Sequence, residues 1–239
     1  MFQSSGNTTD HMLQMLLASN DLAISPISYA SRVNRAITGW PGTAKRLADI
    51  VIALVLLAVF ALPMLLAVLA IRIDSPGPIL FRQRRIGYAN VGFEMLKFRT
   101  MHHRASDPAG LRQTTRHDPR VTRVGAVLRH TSLDELPQLF NVLRGDMSIV
   151  GPRPHAPGTC AGGKPFEMVT PRYPARHCVR PGLTGLAQVR GWRGETETEE
   201  KLLRRVEADL EYIETWSLGL DFAILARTAV SVLAMRNAY

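Results

Sequence analysis

The longest stretch without a polar side chain runs from Ile50 to Ile71. About 20 apolar residues carry a helix across the hydrocarbon core of a bilayer. Pro63 divides this run into 13 residues (50–62) and eight (64–71). At about 1.5 Å of rise per residue, neither part crosses alone. Lys45 and Arg46 precede the run, and Arg72, Arg82, Arg84 and Arg85 follow it. Basic flanks favour the cytoplasmic side, so a helix bent at Pro63 with both ends on one face satisfies the charge pattern. A single span satisfies the length. The residues leave both open.

Elsewhere the apolar period is helical. Leu202, Leu203, Val206, Leu210 and Ile213 predict a helix over 199–216, with Arg204, Arg205, Glu207, Asp209 and Glu211 on a solvated face. Residues 220–235 are mostly apolar and read as a core helix or one lying on a bilayer. Val121, Val124, Val127 and Leu128 predict a short helix that delivers Arg129. Leu136, Leu139, Phe140 and Leu143 predict the inward face of a helix that Gly145 ends. Residues 72–101 read as short extended pieces. Residues 102–120 and 155–175 read as loops, the second a candidate cover for a substrate. The domains expected are a poorly ordered extension over 1–42, a Pro-broken membrane helix over 43–72 and a catalytic domain over 73–239.

Charge narrows the partners. The net charge of +9 and pI of about 10.2 call for anions. Aromatics make up only 7% of the chain and no nucleic-acid module is present, so lipid surfaces and phosphates are expected in place of nucleic acid. Cys160 and Cys178 lie outside any C-x-x-C pattern, and His102, His103 and His117 lack ligand spacing, so neither group marks a zinc or redox site. Reduced thiols on the cytosolic side are expected. Residues 1–10 are polar without a positive side chain, unlike a secretory leader.

The run Ser132–Pro154 holds the densest chemistry. Asp134 and Glu135 stand side by side between Arg129 and the stiff Gly151-Pro152-Arg153-Pro154 turn. Paired carboxylates among arginines suit a phosphorylated substrate with Mg²⁺, which sits between one or two carboxylates and substrate phosphates. A structural alternative exists: Ser132 and Glu135 form the S-x-x-E capping box. Pro137 then falls awkwardly inside the helix, whereas with Asp134 as cap it falls in the first turn. Both frames put the carboxylates near a helix N-terminus. Arg180 sits in a second stiff turn, Arg180-Pro181-Gly182.

This run resembles the core of the monotopic phosphoglycosyl transferases, the bacterial sugar transferases that begin exopolysaccharide and O-antigen assembly. The resemblance extends in order from residue 45 to 235. It takes in Lys45-Arg46 with Asp49, Asp74-Ser75-Pro76-Gly77-Pro78, Phe81-Arg82-Gln83, Lys97-Phe98-Arg99-Thr100-Met101, Arg180-Pro181-Gly182-Leu183-Thr184-Gly185, Ala187-Gln188-Val189 and the Tyr212 and Trp216-Ser217 region. It implies an α+β, mostly helical fold, with a re-entrant membrane helix, amphipathic interfacial helices and a small catalytic domain on the cytoplasmic face of the bacterial inner membrane. It implies transfer of a hexose 1-phosphate from UDP-glucose or UDP-galactose to undecaprenyl phosphate, with release of UMP and a covalent phosphosugar intermediate on Asp134.

By the same resemblance, Glu135 is the partner of Asp134, as base, metal ligand or orienting group, and both stand as candidate Mg²⁺ ligands. Arg129 and Arg153 match phosphate-holding positions, Lys97 and Arg99 border the site as expected phosphate or nucleotide contacts, and Arg180 is a further expected phosphate contact. Gly191-Trp192-Arg193-Gly194 matches the subgroup that transfers hexose 1-phosphate. Inner-membrane lipids, further copies of the chain and other polysaccharide-assembly enzymes are candidate partners. The competing reading is a non-catalytic lipid-binding scaffold. It has no use for two adjacent acids.

Overall fold

A computed structural model describes residues 40–105, 118–194 and 196–233. His117 and all but the last three residues of the expected extension lie outside that set. The fold is mostly helical with small sheets, an α+β arrangement.

Helix α1 (Trp40–Val59) and helix α2 (Ala61–Asp74) meet at Phe60 with a bend of 61°. The break lies ahead of Pro63 for a local reason. Pro63 has no N–H to give the carbonyl four residues back, that of Val59, and its ring crowds that carbonyl. The ladder therefore skips one rung, while Phe60 N–H still reaches Leu56 O (2.9 Å) and Met64 N–H reaches Phe60 O (2.8 Å). Among the described residues no single helix is long and apolar enough to cross a membrane, but the bent pair passes that test together. Leu54, Val55, Leu62, Leu65, Leu66 and Leu69 along it are exposed.

The base of α1 is tied into the protein by charge. Lys45 Nζ pairs with Asp221 Oδ2 (2.8 Å) and donates to Val150 O (3.1 Å). Asp49 Oδ1 accepts from Ser148 Oγ and Ile149 N, both at 3.0 Å. Tyr212 Oη donates to Asp221 Oδ1 (2.8 Å), and Trp216 Nε1 donates to Asp221 Oδ2 (3.1 Å). Next along the helix, Arg46 closes the C-terminus of the later helix Gln138–Arg144 on Val142 O (2.6 Å) and Leu143 O (2.9 Å).

Strands β1 (Leu80–Ile86) and β2 (Gly92–Phe98) form an antiparallel hairpin, Leu80 opposite Phe98. Helix α3 (Arg123–His130) is capped by Thr122 Oγ1 accepting from Gly125 N (3.0 Å). Its Gly125 backbone lies so close to Thr100 O that a Cβ there would stand 2.0 Å away, so only glycine fits. A 3₁₀ turn over Leu133–Glu135 leads into α4 (Gln138–Arg144). Gly145 ends α4 with φ 92°, as expected. Strand β3 (Ser148–Val150) pairs in parallel with β6 (Gly182–Thr184).

The 155–175 segment is no open loop. Strands β4 (Cys160–Ala161) and β5 (Lys164–Pro165) and helix α5 (Phe166–Val169) dock into the core through Ala161 and Phe166, and Tyr173 joins it from the 3₁₀ segment that follows. Cys160 is exposed, while burial pushes the Cys178 thiol up to about 11. After the short α6 (Leu186–Val189) come α7 (Glu199–Thr215) and α8 (Leu218–Leu233).

Two expectations fail in packing. Phe140 is 43% exposed and Val142 takes the inward position. On α7, Arg205 and Asp209 are buried, not solvated.

Candidate active site

The capping box does not form. Ser132 adopts a left-handed conformation (φ 58°) and its side chain caps nothing; neither it nor Asp134 starts the α-helix, which begins after Pro137. Non-glycine residues with positive φ are costly and cluster at functional sites. Here the kink swings Asp134 and Glu135 inward on a separate 3₁₀ turn. The expected help of an α-helix start at Asp134 is therefore absent. Leu133, one residue before Asp134, packs with Ala67 and Ile71 of α2, Phe98 and Leu128, so the acidic turn rests on the second apolar helix.

Glu135 takes the close contacts. Lys97 Nζ lies 2.9 Å from its Oε1, and Arg153 grips both its oxygens, NH1 at 3.2 Å from Oε2 and NH2 closer still to Oε1. Lys97 Nζ is 3.9 Å from Asp134 Oδ2. Arg129 Nε donates to Thr100 Oγ1 (2.8 Å), which aims the side chain from α3. Arg193 NH2 donates to Ser132 Oγ (3.0 Å) and adds its field at Glu135.

The environments split the two acids. Burial pushes the Asp134 carboxyl above its ordinary range, Lys97 pulls against that, and Glu135 adds to it. Burial works on Glu135 too, but Arg153 and Lys97 outweigh it and hold that carboxyl well below its ordinary range. Glu135 is a fixed anion. Asp134 is the more basic of the pair.

Of the expected site residues, the structure brings together Asp134, Glu135, Lys97, Arg129 and Arg153. In place of the phosphate contacts expected of Arg99 and Arg180, it shows both on helix C-termini. Arg99 lies buried under the end of α2, donating to Ser75 O (2.6 Å), Ser75 Oγ (3.0 Å) and Pro76 O (3.1 Å). Arg180 Nε donates to Gly145 O (2.9 Å), at the far end of α4 from the acids. A planar guanidinium with several donors serves a row of carbonyls as well as a phosphate. Arg193 is the cation that sequence reasoning did not single out, although its glycine-flanked turn marked the place.

No group of three or more His, Cys, Asp or Glu gathers among the described residues. Two adjacent carboxylates suit Mg²⁺, whose remaining ligands are commonly substrate phosphates and water. Such an arrangement, two acids under four cations (Lys97, Arg129, Arg153, Arg193), can receive a diphosphate and a nucleophilic attack on it.

The family model described as bacterial sugar transferase matches residues 40–235. The chain is 55% identical over 195 residues to a UDP-glucose:undecaprenyl-phosphate glucose-1-phosphate transferase of Caulobacter vibrioides, covering 82% of this chain and 72% of that protein. It is 49% identical over 214 residues to an undecaprenyl-phosphate glucose phosphotransferase of Komagataeibacter xylinus, covering 90% of this chain and 40% of that protein. It is 48% identical over 189 residues to an exopolysaccharide production protein of Rhizobium leguminosarum, covering 79% of this chain and 94% of that protein.

Proposed function

The chain belongs to the bacterial sugar transferase family, and on that premise we propose that it moves glucose 1-phosphate from UDP-glucose to undecaprenyl phosphate, releasing UMP and opening the assembly of an exopolysaccharide. The observation that carries this reading is the pair of adjacent acids, Asp134 buried and Glu135 half-buried, under an excess of cations and resting on an apolar helix. The glucose in it is supported by the names of the relatives, which favour it over galactose.

Two displacements at one phosphorus account for the reaction. A carboxylate oxygen of Asp134 attacks the phosphorus that bears the sugar. The bond from that phosphorus to the bridging oxygen breaks, and UMP leaves with that oxygen. An oxygen of undecaprenyl phosphate then attacks the same phosphorus and displaces the Asp134 carboxylate, leaving a lipid-linked sugar diphosphate. The raised basicity of Asp134 supports its role as nucleophile. Glu135 holds Lys97 and Arg153 in place, and Arg129 and Arg193 add charge against that of the phosphates. Asp134 and Glu135 are the residues that would hold Mg²⁺, which would supply further neutralisation of the diphosphate.

In this reading α1 and α2 enter and leave one leaflet, with the site on the cytoplasmic face of the inner membrane. The bend at Phe60, the exposed leucines and the basic flanks support it. The test is UMP release from a panel of UDP-sugars with undecaprenyl phosphate and Mg²⁺, comparing wild type with Asp134→Asn. UDP-glucose as the preferred donor and an inert variant are the expected results. Release by the variant at the wild-type rate rules out the covalent step on Asp134, and no release from any donor by folded, membrane-bound wild type rules out the transferase reading.

A further inference from the structure

Behind Glu135 lies a second, deeper set of charges. Arg176, Arg205 and Asp209 are 2–4% exposed and His155 is 7% exposed. Arg176 Nε donates to Asp209 Oδ2 (3.0 Å), and its NH2 donates to the carbonyl oxygen of Arg153 (2.8 Å). Arg205 donates from Nε to Trp192 O and from NH2 to Gly194 O, both at 3.0 Å. It therefore holds the carbonyls on either side of Arg193. His155 lies between the two arginines, its Nδ1 against Arg176 NH1 and its Nε2 3.0 Å from Arg205 NH1, and as a neutral ring it accepts a hydrogen bond from one of them. Ile86 N also holds His155 O (3.1 Å), which fixes this turn to the hairpin.

We propose that His155, Arg176, Arg205 and Asp209 form a buried yoke that positions the Arg153 and Arg193 loops on Glu135 and the substrate phosphates. Both loops depend on one helix, because Arg205 and Asp209 lie one turn apart on α7. Burying charges of this kind adds little net stability over well-packed apolar residues. What this set does supply is direction: each guanidinium fork ends on a backbone carbonyl of a residue that carries, or flanks, an active-site cation. Burial, with Arg176 and Arg205 beside it, keeps His155 well below its ordinary range and so neutral, which spares the yoke a further positive charge. The inference rests on the reading that Arg153 and Arg193 face substrate phosphates.

The test is a double-mutant cycle on the full chain. Arg205→Lys keeps the charge and loses the fork. In the wild-type background it is expected to lower kcat/KM for UDP-glucose by about tenfold, and in an Arg193→Ala background by less than about twofold, because the residue it positions is already gone. Equal losses in both backgrounds mean a merely structural role and overturn the proposal, as does no loss in either. His155→Gln, run through the same cycle, gives the answer if Arg205→Lys does not fold. UDP binding, followed by calorimetry across the same four proteins, separates this inference from the reading beneath it. If wild type turns over no donor, coupling between Arg205 and Arg193 in UDP affinity still supports the yoke, and its absence overturns it.

Discussion

Two buried clusters built from the same residue types behave differently. At the base of α1, Lys45 meets two carboxylates, Asp49 and Asp221, and the remaining acceptor positions are filled by Ser148, Tyr212, Trp216 and the Ile149 amide. At the acidic turn, two carboxylates meet four cations. The first set is closed: cations fall short of anions, and neutral donors complete the shell. The second carries an excess of positive charge that an anion can use. Counting donors against acceptors thus separates a structural brace from a site, where burial alone does not.

The comparison breaks most visibly at Asp134. Asp134→Asn is expected to lower UMP release by about 10³-fold or more while leaving the urea midpoint unchanged or higher. The sign follows from burial. Between the ordinary value of 3.8 and the raised folded one, the unfolded chain has lost its proton and the folded chain keeps it, so stability falls as pH rises through that window. Removing the charge removes that cost.

Lys45→Met should do the reverse. It leaves Asp49 and Asp221 buried without their cation, at a cost of about 3–5 kcal/mol in urea unfolding. A loss below about 1 kcal/mol, the level of an exposed pair, would show that the brace is not closed. A smaller effect is expected at Arg193. Arg193→Ala should reduce kcat/KM by about tenfold, the worth of one hydrogen bond to a charged group, with stability little changed. Smallest at neutral pH, where it has hardly begun, is an effect outside both clusters that grows as pH falls. Burial, with Arg176 nearby, pushes His177 down to about 3 from an ordinary 6.5. As pH falls below 6.5 the unfolded chain takes up that proton first, so stability declines down to about pH 3. His177→Asn should flatten that part of the curve in thermal melts.

How far the sequence foretold these clusters depended on whether a local pattern was also a tertiary one. The α7 period and the Gly145 stop follow from spacing and backbone freedom, and both appear as expected. Arg205 and Asp209 read as a solvated face because charge normally means water. Only distant partners, Arg176 and the 192–194 carbonyls, make their burial tolerable, and no local period encodes those. Ser132 and Glu135 have the spacing of a capping box, yet Ser132 is kinked and its hydroxyl serves Arg193 from 61 residues away. Arg99 and Arg180 sit in motifs full of turn residues, and such turns leave carbonyls bare for a guanidinium to close. The sequence could mark these cations as important without telling phosphate from carbonyl.

The contrast between the two cysteines has a practical yield. A thiol reacts as its thiolate, so at neutral pH the exposed Cys160 should take a maleimide dye while Cys178, pushed up to about 11, stays dark. The native chain thus offers one fluorophore attachment point on the β4–β5 hairpin without any cysteine having to be engineered in or out.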